Sequence, residues 1–317
     1  MLTQPQTPLA ATLARPTYTE VLGDLAQAFT DQTVLFRLEN CALSAPVDLG
    51  AHLRRSFLGA LSGGASAEAQ AGAPCSWDPP CALDVFCREQ LRGPRGDGLP
   101  KPYVILWHKD GYDLIVGVRV FGIAIDWFMI AAEAMALGLR SILPWGRILP
   151  GRTDAPHIAE RWIEFGHPAP IPSSQKALQI VFTSQVDVGK TDPFVAPHRM
   201  LSRLLRRVDG ISRWNGVGLT DEAGRALAQH MAGLEYDTSA LVQGTYHSPN
   251  AKGQKRVNQT VTGPLVVKGD WTSVWPVLAM GQRCNMGRGA VEGLGAFRLM
   301  IRGTEICAKP GSAIQTQ

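Results

Sequence analysis

The sequence predicts an α+β protein built from two tandem ferredoxin-like (RRM-like) βαββαβ domains, with a glycine-rich loop near its C-terminal end. A chain of 317 residues is too long for one small hydrophobic core and has about the length of two modest domains. A Pro- and Gly-rich passage, Pro144 to Pro172, separates two halves that repeat the same order of elements. With 45% hydrophobic and 18% charged residues, the composition is that of an ordinary globular protein.

The first half shows a strand, a helix, a hairpin of two strands and a second helix. Apolar residues at helical spacing and the turn dipeptide Asp110-Gly111 carry this prediction. We place these elements at Val34–Leu38, Asp48–Leu61, Tyr103–Trp107, Asp113–Val120 and Ile125–Leu137. The sequence shows no clear closing strand here. We expect a domain over residues 20–150, with a Cys-, Gly- and Pro-rich insertion at 63–101.

The second half, residues 170–317, gives the same pattern with a closing strand. Thr220 is a good N-cap for its second helix. The predicted strands are Ala177–Val188, Thr238–Tyr246, Thr260–Lys268 and Leu294–Ile301, and the predicted helices are Pro197–Val208, Asp221–Leu234 and Thr272–Met280. An antiparallel sheet backed by helices is also the architecture of a common single-strand RNA reader.

Charge and cysteine usage limit the functional classes. The net charge of +4 is compatible with a polyanionic partner without requiring one. Met1 to Thr19 has no secretory pattern, and the apolar stretch Val116–Leu139 contains charged residues and glycines that favour a buried strand and helix. We therefore expect a soluble, cytoplasmic protein. Cys75, Cys81 and Cys87 lack the usual zinc-ligand spacing, so structural thiols are favoured over a metal site, and no cofactor is predicted.

The helix Pro197–Val208 carries the first candidate site. Arginines recur on it at three- and four-residue spacing, at Arg199, Arg203, Arg206 and Arg207. Such positions share a helix face, and guanidinium groups suit phosphate oxygens. The alternative is a solvated face whose acidic partners lie elsewhere in the fold. The charge pattern favours contact with RNA.

A second candidate is the glycine-rich segment between the last helix and the last strand. Its members are Gly287, Gly289, Gly293 and Gly295, with Arg283 and Arg288 adding charge. Glycines at this density permit positive φ and close approach to a ligand, and exposed N–H groups can bind an anion. The structural alternative is that the glycines serve tight turns and close packing, and the spacing alone favours this alternative.

Histidines in basic surroundings are the candidates for acid–base chemistry. His247 lies in Tyr246-His247-Ser248, and the following loop carries Lys252, Lys255 and Arg256. The alternative for this segment is a polar surface hairpin. His52 stands beside Arg54 and Arg55 near the start of a helix, where a raised local potential favours a neutral imidazole. Its alternative is a partly exposed helix-start histidine.

Taken together, these stretches resemble the CRISPR repeat-RNA-processing endoribonucleases of the RAMP superfamily, as a divergent member. In the second half the resemblance rests on Phe182–Ser184 with the helix Leu201–Val208, Tyr246–Ser248, Gln254–Gly263 and Gly287–Phe297. In the first half it rests on Leu53–Phe57, the three spaced cysteines, Pro100–Tyr103 and Val120–Gly122.

The resemblance implies a protein that recognises a repeat hairpin and cuts it without a metal ion. The 2′-hydroxyl would attack the adjacent phosphate, leaving a 2′,3′-cyclic phosphate and a 5′-hydroxyl. The glycine loop would hold the RNA backbone, and the arginine helix would contact hairpin phosphates. The family's first-domain histidine has its nearest counterpart in His52, with His247 or Tyr246 as alternatives.

Three functions remain open from the sequence. The first is a nuclease that matures CRISPR RNA and retains the product hairpin. The second is a non-catalytic RNA-binding subunit of a CRISPR effector complex, so that CRISPR RNA and other subunits are the expected partners in both cases. The third is an unrelated enzyme acting on a small molecule, which would lack salt-sensitive affinity for RNA.

Overall fold

The computed structural model describes residues 7–41, 49–92, 98–141, 156–172, 177–189, 192–249, 255–306 and 314–315. For residues 247–249, 255–256 and 314–315 it describes the backbone alone. The helices are α1 Pro8–Leu13, α2 Leu22–Ala28, α3 Leu49–Ser62, α4 Ala67–Gln70, α5 Ala82–Cys87, α6 Phe128–Arg140, α7 His198–Ser212, α8 Asp221–Gly233 and α9 Trp275–Cys284.

The strands form two large antiparallel sheets and one small parallel pair. They are β1 Thr17–Thr19, β2 Asp31–Leu38, β3 Tyr103–Asp110, β4 Asp113–Phe121, β5 Ile158–Gly166, β6 Leu178–Asp187, β7 Val217–Leu219, β8 Glu235–Asp237, β9 Val242–Pro249, β10 Lys255–Lys268, β11 Phe297–Ile301, β12 Thr304–Glu305 and β13 Ile314–Gln315.

The first domain contains the sheet β5-β2-β4-β3, with β13 added beside β5. Helices α3 and α6 pack against each other. On α3, Leu49, Leu53, Phe57 and Leu61 are buried at the spacing that the sequence predicts. Gly138 of α6 lets the two backbones approach, since a Cβ there would lie 3.0 Å from the carbonyl carbon of Ser56. This strand order is that of the ferredoxin-like fold.

The second domain repeats the arrangement with the order β11-β6-β10, and β8 and β9 pair with successive parts of β10. Helices α7 and α9 pack closely, because a side chain at Gly281 would lie only 2.7 Å from a methyl of Leu204. Thr220 caps α8 as predicted, with its Oγ1 accepting the N–H of Ala223 at 3.2 Å. The predicted fold of two tandem ferredoxin-like domains is confirmed.

The closing strand of the first domain is the main correction to the sequence analysis. It is β5, which lies inside the Pro- and Gly-rich passage that we treated as a separator. β5 alternates only weakly, with most of its residues half-buried and few fully buried, so it lacks the apolar signature of an inner strand. The first sheet therefore extends past the predicted domain limit of residue 150.

Both chain ends described here also cross between the domains. β1 pairs in parallel with β7, and Leu25 and Phe29, in and just after α2, are buried in the core of the second domain. Near the other end, β13 pairs with β5 of the first sheet. The two domains therefore share buried surface.

The apolar stretch noted in the sequence forms β4 followed by α6. Gly122–Arg140 is long and apolar enough to cross a membrane by length and composition alone, but half of its apolar window is buried inside the protein. Ala131, Ala132, Met135 and Leu139 belong to the first-domain core. The prediction of a buried strand running into a buried helix is confirmed.

Candidate nucleic-acid interface

The glycine-rich loop leaves α9 and feeds β11, and its glycines adopt left-handed conformations. The φ angles of Gly287, Gly289, Gly293 and Gly295 are +82°, +73°, +83° and +72°. A side chain at Gly295 would overlap the carbonyl of Met286. These angles explain the residue type, because left-handed backbone is costly with a Cβ.

The loop is held by its own domain through side-chain and backbone hydrogen bonds from β6. Ser184 at the edge of β6 donates to the Gly293 carbonyl at 3.0 Å and accepts the N–H of Ala296 at 2.9 Å. The Gly295 N–H also donates to the Gln185 carbonyl at 2.9 Å. The glycines therefore have a structural role in this packing, which is the alternative that the sequence left open.

The same loop packs against the first domain. A Cβ on Gly50, at the start of α3, would overlap the backbone carbonyl of Glu292. A Cβ on Gly293 would lie 2.7 Å from the Ile105 carbonyl and 3.0 Å from Nε1 of Trp107 on β3. Residues from both domains therefore meet at this loop.

A chain of polar side chains crosses the domain boundary there. Arg54 donates from Nε to the Tyr103 hydroxyl at 3.0 Å, and its Nη1 lies 3.5 Å from one Glu292 oxygen. The other Glu292 oxygen accepts from the Tyr246 hydroxyl at 3.5 Å. Burial opposes the charge on Arg54, but Tyr103 and Glu292 outweigh it and raise its pKa. Burial raises the pKa of the Tyr103 phenol, which therefore stays neutral near pH 7.

Of the predicted catalytic residues, only Tyr246 takes part in this series of polar contacts across the domain boundary. His52 is half-buried on α3, two positions before Arg54. Residues two apart are separated by about 200° around a helix and do not face each other. His52 and Arg54 therefore lie on different flanks of α3. His247 occupies β9 opposite Val257 on β10, where the backbone alone is described.

The predicted arginine face on α7 divides into two pairs. Arg199 and Arg206 are exposed. Arg203 donates to the Val188 carbonyl, and Arg207 donates from Nε to the Cys284 carbonyl at 2.6 Å with its Nη2 buried. Burial lowers the pKa of both Arg203 and Arg207. The expectation of four solvent-facing arginines does not hold for Arg207, because this position borders the buried face.

Arg288 of the glycine loop joins the exposed members of this helix. It is exposed, and its backbone bridges to Asp187 at the end of β6. Arg203 donates to the carbonyl of Val188, the residue after Asp187, so its guanidinium lies beside this bridge. Burial and the charges of Arg288 and Arg206 lower the pKa of Arg203. We call Arg199, Arg203, Arg206 and Arg288 the arginine patch.

Arg283, which we predicted to be an RNA-binding residue beside the glycine loop, instead forms an ion pair between the domains. Its guanidinium forms a two-pronged ion pair with the buried Asp31 at 2.6 and 2.8 Å. Arg119 lies 3.3 Å from the same carboxylate and donates to the Arg283 carbonyl at 2.8 Å. Burial lowers the pKa of Arg119 to about 10. This cluster joins the two domains.

The remaining candidates are peripheral or outside the described part of the chain. Arg55 is exposed on α3. Lys255 and Arg256 begin β10 opposite Pro249 and Ser248, with the backbone alone described. Lys252 lies outside the described residues.

Lys101 is a residue whose chemistry the sequence did not reveal. Its Nζ donates to the Cys87 carbonyl at 2.6 Å, and burial lowers its pKa to about 8. After burial, the charge of Arg54 is among the causes that lower the pKa of Lys101. A lysine between two prolines gives no sign of burial in sequence.

The spaced cysteines form no metal cluster within the described ranges. In that part of the chain, no three metal-binding side chains come together. Cys75 and Cys81 are buried, with the Cys81 N–H donating to the Cys75 sulfur at 3.3 Å, whereas Cys87 is exposed. Their surroundings are those of packed thiols.

Comparison with known proteins finds one family model that matches the second domain and solved structures that share the fold. The family model described as the CRISPR-associated endoribonuclease Cas6 matches residues 178–297. A solved Cas6 product complex is 16% identical with a TM-score of 0.50, covering 86% of this chain and 100% of that chain. A Thermus thermophilus Cas6 is 11% identical with a TM-score of 0.49, covering 86% and 99%. No curated protein matches the chain by sequence.

A further solved structure, a partial Cas6-RT-Cas1–Cas2 complex, is 11% identical with a TM-score of 0.45, covering 89% of this chain and 48% of that chain. The family match lies over the second domain and includes α7 and the glycine-rich loop. The likeness to the solved product complex is one of fold.

Proposed function

We propose that this protein is a metal-independent endoribonuclease that cuts CRISPR repeat hairpins and stays bound to the product hairpin. The observation that carries the proposal is the Cas6 family match over residues 178–297, which includes both α7 and the glycine-rich loop. The arginine patch lies on these two elements and would supply the cationic surface that a hairpin backbone needs.

The proposed chemistry is attack by the 2′-hydroxyl on the adjacent phosphate, giving a 2′,3′-cyclic phosphate and a 5′-hydroxyl. The reaction needs a base at the 2′-oxygen, positive charge beside the phosphorane and a proton for the leaving oxygen. Arg54, which contacts Glu292 at the domain boundary, would supply charge in this proposal. His52 is the proposed base. The alternatives for the base or the proton donor are the Tyr246 hydroxyl and the His247 imidazole.

The test is cleavage of the host repeat RNA in EDTA, followed together with binding. After the cut is mapped, a substrate with a 2′-deoxy sugar at that position should bind equally and resist cleavage. Persistence of the cut in EDTA and a cyclic phosphate on the product are the expected results. Cleavage that stops in EDTA, or that proceeds on the deoxy substrate, contradicts the proposed chemistry.

Substitutions assign the residues. His52→Ala and Tyr246→Phe are each expected to slow cleavage by about 10²–10⁴-fold for a general acid or base, with little change in affinity. His157→Ala is the matched control, because His157 is an exposed histidine paired with Glu39. If both substitutions leave the rate unchanged, the catalytic assignment fails.

A second candidate function is a non-catalytic RNA-binding subunit of a CRISPR effector complex, in which other CRISPR proteins are partners. The separation of His52 and Arg54 on different flanks of α3 favours this alternative. Tight, salt-sensitive binding of repeat RNA without any cut would select it. Absence of binding would reject both functions.

A further inference from the structure

The turn that leads into α7 exposes two apolar side chains beside the arginine patch. Phe194 and Val195 are 40% and 80% exposed. Asp192 builds the turn: its carboxylate accepts the Phe194 N–H at 2.9 Å, and its carbonyl accepts the Ala196 N–H at 3.0 Å. The exposure of this pair is therefore imposed by hydrogen-bonded backbone.

The turn continues directly into the cationic helix. The Arg199 N–H donates to the Ala196 carbonyl at 3.1 Å, so Val195 precedes the first exposed arginine by about one turn. A surface with an aromatic ring at one end and several guanidinium groups along the rest matches single-stranded nucleic acid, whose bases stack on aromatic faces while cations hold the phosphates.

We propose that Phe194 stacks on an unpaired nucleotide that flanks the repeat hairpin, with Val195 packing beside the same base. This inference rests on the proposed RNA-binding function and adds a subsite to it. A protein partner is the other conceivable occupant, but the neighbouring cations favour a polyanion. Phe194 would thus make the protein sensitive to sequence outside the duplex, because aromatic stacking requires a base that is free of its pair.

Another exposed aromatic residue provides a matched control. Tyr112, at the tip of the β3–β4 hairpin, is 81% exposed, which is more than Phe194. It stands between Asp110 and Asp113, which both pair with Arg37 at 2.8 and 3.1 Å. No residue of the arginine patch lies on this hairpin, so Tyr112→Ala should leave RNA affinity unchanged.

The experiment measures affinity of the full chain for two RNAs at fixed salt: the repeat hairpin with single-stranded flanks and the same hairpin trimmed to its duplex and loop. Phe194→Ala should weaken binding of the flanked RNA by about fivefold to a hundredfold, the range of a lost base stack, without changing the salt slope. Phe194→Tyr should restore it. The trimmed hairpin should bind equally to wild type and Phe194→Ala.

A 2-aminopurine placed in turn at each flanking position gives a direct readout, since its fluorescence should be quenched at one position by wild type and not by Phe194→Ala. Equal affinities of wild type and Phe194→Ala for the flanked RNA would overturn the stacking site and leave a protein partner as the occupant. Equal weakening for both RNAs would also overturn it. Failure of wild type to bind either RNA would reject the proposed function itself, a separate and recognisable result.

Discussion

The buried ion pair between the domains gives the sharpest quantitative prediction. Asp31→Ala removes the carboxylate on which Arg283 and Arg119 converge at 2.6 and 3.3 Å. The side chain of Asp31 is fully buried, and those of the two arginines are 16% and 10% exposed. The substitution therefore leaves two neighbouring cations in a site with little water.

Removing one partner of a buried pair costs about 3–5 kcal/mol, because the remaining charge is uncompensated. That is a large share of the 5–15 kcal/mol typical of domain stability. The matched exposed substitution is Asp110→Ala, which removes a carboxylate that is 53% exposed and 2.8 Å from Arg37. Exposed pairs contribute about 0–1 kcal/mol, so the two variants should differ severalfold.

Urea unfolding followed by tryptophan fluorescence and circular dichroism measures both free energies of unfolding. The double variant Asp31→Ala, Arg283→Met completes a cycle, and a coupling energy of at least about 1 kcal/mol is expected for side chains in contact. Should Asp31→Ala lower the free energy of unfolding no more than Asp110→Ala does, the ion pair does not stabilise the domain contact and the reasoning fails.

Three further predictions concern the boundary, a buried lysine and the arginine helix. Gly166→Ala places a methyl onto the interdomain ion pair and should lower the free energy of unfolding by about 3 kcal/mol. Gly59 in α3 has open space around it, so Gly59→Ala should raise the free energy of unfolding by about 0.5–1 kcal/mol. Equal effects of the two substitutions in urea titrations would contradict this prediction. Burial lowers the pKa of Lys101 from 10.5 to about 8, so its penalty is fully present below pH 8 and is relieved as pH rises to 10.5. The stability of wild type relative to Lys101→Met should accordingly rise by up to about 3 kcal/mol across that window, and a flat difference refutes the burial. Arg206→Ala should lower the salt slope of RNA binding by about one unit, whereas Arg207→Ala should keep the slope and lower the free energy of unfolding by about 2 kcal/mol; the reverse assignment would show that Arg207 is the RNA contact.

Local signals account for most of the fold that the sequence predicted. The hairpin at Asp110-Gly111 and the N-cap at Thr220 stand where expected because each depends on a few neighbouring residues. The apolar stripes of α3 and α7 are buried as their periodicity requires. β5 escaped prediction because a strand with mostly half-buried residues has no periodic apolar signal of its own.

The candidate site was less accessible to the sequence. Its residue types could be recognised, because glycines with positive φ and arginines at helical spacing leave a local mark. The functions of individual charges could not be assigned. Arg206 and Arg207 are adjacent in sequence, yet one is exposed and the other donates to the Cys284 carbonyl.

The sequence by itself determined the order of elements apart from β5, the amphipathic arginine helix and the glycine-rich loop, since backbone propensity and side-chain periodicity act over a few residues. Only the tertiary structure decided that Arg54 meets Glu292 and that Arg283 pairs with Asp31, contacts that join positions 238 and 252 residues apart. Those contacts depend on which faces of the two domains pack together. Packing of that kind is a property of the whole surface, so no local pattern in the chain records it.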